Sequence, residues 1–188
     1  PQRAHEGHDD NAQQYFTVYS GHNAGLYRQF DVLPGAILEV SVWGTSWSSN
    51  SNNPNDPGEQ ARMRIGLDPQ GGLDPEDKAV MWGEVANPFN KWTQIPSVKA
   101  TAGPAGKLTV FLRSNPAWPM LHNDMYWDDV TMVYRGQGAP AIPNGATPVP
   151  GVAVVAAPPA DPILVGLALG GVGPGLALPD QVLRGVVA

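Results

Sequence analysis

Two adjacent carboxylates, Asp128 and Asp129, stand inside the run His122–Tyr134, whose other members are largely aromatic and β-branched. Such a run favours a strand, and neighbours on a strand face opposite ways. With Val130, Met132 and Tyr134 turned to a core, Asp128 points inward near the edge of a sandwich. Trp127, Asp129 and Thr131 then point to the other face. An inward carboxylate must be neutralised, hydrogen-bonded or bound to a cation, whereas an outward one is open to solvent or ligand. Carboxylates divided in this way cannot flank one glycosidic bond as a hydrolytic pair.

The remaining candidate chemistry is planar and aromatic. Alternation turns Leu38, Val40 and Val42 inward, with Met63, Ile65 and Leu67 and with Leu108, Val110 and Leu112. The opposite positions are Glu39, Ser41 and Trp43, then Arg62 and Arg64, then Thr109, Phe111 and Arg113. Rings beside planar donors and acceptors suit a sugar, whose C–H face stacks while its hydroxyls take hydrogen bonds. An ordinary solvated face with an Arg–Glu pair and half-covered rings fits the same residues. The stretch Gly44–Gln60 reads as a long loop in which Trp47 is either an exposed anchor or a cover for a core edge. Ser114–Asp124 poses the same alternatives through Trp118 and His122.

Elsewhere the sequence is more notable for what it lacks. It has no Gly-x-Ser-x-Gly elbow, no phosphate-cradling glycine loop and no dinucleotide fingerprint. His5 and His8 with Asp9 and Asp10 follow no specific zinc spacing, and Pro1–Asn11 reads as a solvated terminus. With no cysteine, disulfides and cysteine-ligated metals are excluded. A formal charge of −6 argues against nucleic acid or an anionic membrane as partner. No charged-then-apolar leader opens the chain, which leaves export open because a processed protein has lost its leader.

The elements that would position these residues are short strands separated by turns, the pattern of a sandwich or barrel. Strands are expected near Gln14–Ser20, Leu26–Leu33, Ile37–Trp43, Ala61–Leu67, Ala79–Glu84, Trp92–Lys99, Lys107–Arg113 and Met125–Tyr134, with no helix. Pro34-Gly35 fits the middle of a type II turn. The 188 residues divide into a polar segment 1–11, a β-sandwich 12–135 and a Pro/Gly/Ala/Val-rich linker and tail 136–188, which holds nine of the twenty prolines. Pro162–Leu178 is apolar but too short for a bilayer span, and glycines and Pro174 break it. Such a tail needs a cover: its own sandwich edge, a neighbouring subunit or another part of a larger assembly.

Taken in order, Tyr27–Gly35, Leu38–Trp43, Arg64–Pro69, Trp92–Ile95, Lys107–Leu112 and Tyr126–Val130 resemble the galactose-binding-like jelly roll, in particular the carbohydrate-binding modules of secreted bacterial proteins. The resemblance covers about residues 11–134 and implies an all-β, two-sheet antiparallel sandwich that binds sugar without catalysis. It also implies a structural calcium near the sandwich edge, with Asp128 among its oxygen ligands. The family's opening strand, with its Asn-Gly-x-Phe-Glu-like pattern, has no counterpart in Pro1–Asn11 beyond Glu6-Gly7. The edge so exposed is one that Val152–Val155 or Ile163–Leu169 of the tail would fill.

The function expected from all this is non-catalytic binding of a polysaccharide or glycan by an extracellular or cell-surface module. Trp43 and Trp47 are the candidate platforms, with Arg64, Arg113 and Asp129 as polar partners and His122 and Asn123 contributing from an adjoining loop. The rival expectation is an assembly module that self-associates through its apolar tail, and a weaker one is an accessory domain of a hydrolase or lyase.

Overall fold

The computed structural model describes His5, residues 12–53 and 55–140, and the backbone of two short strands in the tail. In chain order the strands are β1 (Gln13–Thr17), β2 (Ala24–Asp31), β3 (Ala36–Ser49), β4 (Arg64–Asp68), β5 (Met81–Trp82), β6 (Thr93–Thr101), β7 (Lys107–Ser114), β8 (His122–Gln137), β9 (Leu164–Gly166) and β10 (Arg184–Val187). The described residues contain no helix, and so none long and apolar enough to cross a membrane. The turn from β2 to β3 is the expected one. Gly35 has φ of 78° and the Ala36 amide donates to the Leu33 carbonyl, as a type II turn over Pro34-Gly35 requires.

Two antiparallel sheets form a sandwich. The first runs β1-β8-β3-β6 with β9 also paired to β8; the second runs β10-β2-β7-β4-β5. The order 1-8-3-6 against 2-7-4-5 is that of an eight-stranded jelly roll. The three apolar triplets point inward as expected: Leu38, Val40 and Val42 come from one sheet, and Met63, Ile65, Leu67, Leu108, Val110 and Leu112 face them. Ile95, Met125 and Trp127 complete the fully buried centre. The tail pairs with both sheets. Leu164–Gly166 runs beside Val133–Thr131, within the segment expected to fill an edge, and Arg184–Val187 runs beside Tyr27–Ala24. Val152–Val155 lies outside the described residues.

Three differences from the expected pattern matter for function. First, β8 carries a β-bulge. Ser41 pairs with Thr131 but Trp43 pairs with Asp128, so two residues of β8 oppose one of β3. The inserted residue reverses the alternation: Trp127 and Val130, three apart, both enter the core, and Asp128 turns outward instead of inward. Asp129 takes the strained turn at φ of 50°, a left-handed conformation that aspartate tolerates better than most residues. Its amide is caught by the Asp128 Oδ1 at 2.8 Å.

Second, β3 does not stop at Trp43. It continues to Ser49 against Tyr126–His122, so Trp47 belongs to a strand and not to a loop. Serines that read as turn residues are buried here with partners: the Ser46 hydroxyl donates to the Pro88 carbonyl and the Ser48 hydroxyl to Asn123 Oδ1. Third, the strand expected at Ala79–Glu84 shortens to Met81–Trp82, and the one expected at Ala61–Leu67 begins at Arg64, with Met63 in an isolated bridge to Ala86.

Candidate functional site

The residues named from the sequence do not converge on one site. Trp43, Asp128 and Asp129 lie on the outer face of the first sheet, whereas Arg64 and Arg113 lie on the outer face of the second. Strand β3 belongs to one sheet and β4 and β7 to the other, so side chains that all point away from the core leave on opposite sides of the molecule. Trp47 is buried and stacks on Phe89, ring centroids 5.1 Å apart, so it covers a core edge and is no exposed platform. Asn123 sits on β8, not on a loop, and is fully buried. It accepts from Ser48 and donates to the carbonyls of Ser20 and Trp118, which makes it a bracket for the loops. His122, also on β8, bonds Asn52 Oδ1 through Nε2, and Trp118 is exposed.

The second sheet presents an aromatic row that alternation alone did not reveal. Tyr27, Phe111, Gly66 and Trp82 are successive cross-strand partners on β2, β7, β4 and β5 and share the outer face. The rings of Tyr27 and Phe111 are 6.0 Å apart and those of Phe111 and Trp82 6.1 Å, both pairs tilted by about 40°. Above them opens a cavity of about 220 Å³, whose polar rim includes Asn23, Glu76 and Arg113. Arg113 donates through Nε to Asn23 Oδ1 and through Nη2 to Glu76. These bonds fix a planar guanidinium beside the apolar floor.

Arg64 pairs directly with Arg113 across the sheet, and its guanidinium lies 4.4 Å from the Trp82 centroid. Burial, and then the Arg113 charge, pull the Arg64 pKa below its usual value, while Glu76 partly restores it. Glu76 therefore does two things: it holds Arg113 and offsets the repulsion between two facing cations.

Gly66 explains how Trp82 reaches this position. A Cβ built on Gly66 would come within 2.7 Å of two carbons of the indole, so the ring lies directly on bare backbone. A glycine inside a strand marks such a close approach. Gly66→Ala is expected to lift Trp82 from the floor. A ligand stacked there should then bind about tenfold more weakly, with the melting temperature little changed because a side chain at the surface yields before the backbone does.

The first sheet carries a second aromatic and acidic group. Trp43 pairs with Asp128 on one side and Gln94 on the other, so the three share the outer face. The ring of His5 stacks on Trp43, centroids 3.9 Å apart and planes at 21°, and meets Trp92 edge-on at 5.9 Å. The His5 amide donates to Asp128 Oδ2 at 3.0 Å, and Nδ1 donates to Asp129 Oδ2 at 2.7 Å. His5 is thus docked and not part of a solvated terminus; His8, Asp9 and Asp10 lie outside the described residues.

Hydrogen bonds engage the carboxylate of Asp128. Both its oxygens take N–H donors, from Asp129 and His5. Among the described residues no three carboxylate or imidazole groups converge to hold an ion.

Behind the first sheet, a polar network ties the core to the β1–β2 connection. The Trp127 indole donates to the Tyr15 hydroxyl at 3.3 Å. That hydroxyl bonds Ser114 Oγ, which in turn bonds His22 Nε2 at 2.7 Å. Burial pushes His22 down to about 4 from its ordinary 6.5. The unfolded chain then binds a proton that the folded one refuses, so stability falls as pH drops from 6.5 towards 4. The loss is expected to be about 1–2 kcal/mol once solvent screening of a half-buried group is allowed for. Urea unfolding at pH 7 and pH 4.5 measures it, and His22→Gln should flatten that difference.

No family model and no curated protein matches the chain. A solved structure that it resembles is TmCBM61, a carbohydrate-binding module in complex with β-1,4-galactotriose. The two are 10% identical, the likeness covers 67% of this chain and 72% of that one, and the TM-score is 0.47. A likeness of this depth assigns neither ligand nor site, and the jelly roll rests on its own strand order.

Proposed function

We propose that this chain is a non-catalytic carbohydrate-binding module that takes a sugar in the cavity on the outer face of the second sheet. The row Tyr27–Phe111–Trp82 beneath a rim of Asn23, Glu76 and Arg113 carries this reading. It offers what a pyranose needs: rings for the C–H face, and planar donors and acceptors at its edge for the hydroxyls. Glu76 is engaged in holding Arg113, which makes it a positioning group for binding and a poor general acid. Export to the cell surface or medium is part of the proposal, since glycan polymers are met there.

Calorimetric titration with β-1,4-linked trisaccharides of glucose, galactose and mannose tests it. The expected result is selective binding to one configuration without turnover, unchanged by a chelator because the cavity and Asp128 lie on opposite sheets. Binding to none of them, or binding that survives loss of the aromatic row, would refute the assignment. A second reading rests on the tail strands. β9 and β10 add to the sheets by backbone pairing, and the same strands donated to a neighbouring copy would make the tail an assembly element. A change of oligomeric state on deleting residues 141–188 would support it; an unchanged state would remove it.

A further inference from the structure

We infer that the cavity on the second sheet takes the non-reducing end of a glycan chain, one neutral pyranose deep, and not an internal stretch of it. The inference rests on the sugar reading of that cavity and adds which part of the sugar enters. Residues 69–80, between β4 and β5, cross the outer face of the second sheet. They are tied down at Gly71, whose carbonyl accepts from Gln29 Nε2, and at Glu76, which holds Arg113. A Cβ built on Gly71 would meet the Lys107 Cβ, so the crossing segment lies directly on β7. Thr109 and Asp68, which share the outward row with Gln29, are accordingly buried although they face away from the core.

The row Tyr27, Phe111 and Gly66 lies two residues along the strands from that covered row. On its other side the Asn23–Arg113–Glu76 bridge joins the β1–β2 connection to the crossing segment. Both ways out along the strands are thus walled, and a β-1,4 chain laid along them would meet one wall or the other. At about 220 Å³ the cavity is also smaller than the roughly 300–1,000 Å³ of sites that bury a drug-sized ligand. That leaves room for one ring and not for three. The wall at Arg113 decides which end enters. A guanidinium has five N–H donors, of which the bonds to Asn23 and Glu76 take two. The others, with the Asn23 amide, suit vicinal hydroxyls. The non-reducing unit of a β-1,4 chain presents such a pair at its 3- and 4-positions, whereas the reducing unit ends in a single anomeric hydroxyl beside the ring oxygen. Arg64 and Arg113 are matched by Glu76 and Asp74, so no surplus charge calls for an acidic sugar.

The experiment titrates the full chain with β-1,4 oligosaccharides, from di- to hexasaccharide, of whichever glucose, galactose or mannose configuration binds. Two altered trisaccharides accompany them, one methylated at the non-reducing 4-hydroxyl and one reduced to the alditol at the other end. Affinity is expected to change less than about twofold from di- to hexasaccharide, and the alditol should bind like its parent. The methylated trisaccharide should bind about 30-fold more weakly or worse, because it brings bulk to the wall and has lost a donor. Affinity that climbs about tenfold across the series, or a methylated trisaccharide that binds like its parent, would overturn end recognition. The sugar would still lie in the cavity so long as Trp82→Ala abolishes binding. Loss of binding by the alditol alone would reverse the direction of entry and overturn the inference likewise. End-selective binding that survives Trp82→Ala would place the site elsewhere and overturn both readings, as would silence across all three configurations.

Discussion

Trp127→Ala is expected to destabilise the fold by about 3–5 kcal/mol, the cost of deleting a large ring from a packed core. Trp127 is fully buried where β8 bulges, between Met125 and Val130. Its loss leaves a cavity and also strips the Tyr15 hydroxyl of a donor. That hydroxyl still bonds Ser114, so the damage should concentrate in packing and not in the polar network. Trp127→Phe, which keeps much of the volume and loses only the indole N–H, should cost clearly less, on the order of 1–2 kcal/mol. Chemical denaturation of the two variants measures the ordering. Equal costs would mean that the hydrogen bond, and not the ring, holds this part of the core.

The Tyr15 hydroxyl sets the alkaline limit of the same region. Burial raises it to about 12 from 10. Its contribution is complete below pH 10 and is lost as pH climbs towards 12, since the unfolded chain ionises first. With His22 acting at the acid end, the network is most stable between about pH 6.5 and 10.

The largest effect on binding should come from Trp82→Ala, with affinity for the preferred trisaccharide falling about 30-fold or more. A stacked aromatic anchor in the middle of a binding patch commonly carries 2 kcal/mol or more of the binding free energy. Trp82 is half-buried on a two-residue strand, so its removal should leave the sandwich standing. Equal melting temperatures for Trp82→Ala and the parent chain, with binding lost in the variant alone, would locate the sugar on this ring. Retained affinity would move the ligand elsewhere and leave the row Tyr27–Phe111–Trp82 as surface packing.

The approximate positions of β1 to β8, the three inward-facing apolar triplets and the turn at Pro34-Gly35 were legible along the chain. These follow from local signals: a period of two, a fixed proline φ and a glycine free to adopt positive φ. Tertiary structure decided the rest, because cross-strand register and sheet membership are set by partners far away along the chain. One inserted residue at Asp129 exchanged the expected faces of Trp127 and Asp128. Membership of different sheets separated Trp43 from Arg64 and Arg113, which local alternation had grouped together. Pairing Thr45–Ser49 with Tyr126–His122 turned a serine-rich stretch into buried strand and took Trp47 out of contention. Gly66 within a strand was a signal that could have pointed to a ring lying upon it, but nothing local named Trp82 as that ring. His5 was beyond any local reading, since its partners Trp43, Asp128 and Asp129 are gathered only when β3 and β8 lie side by side.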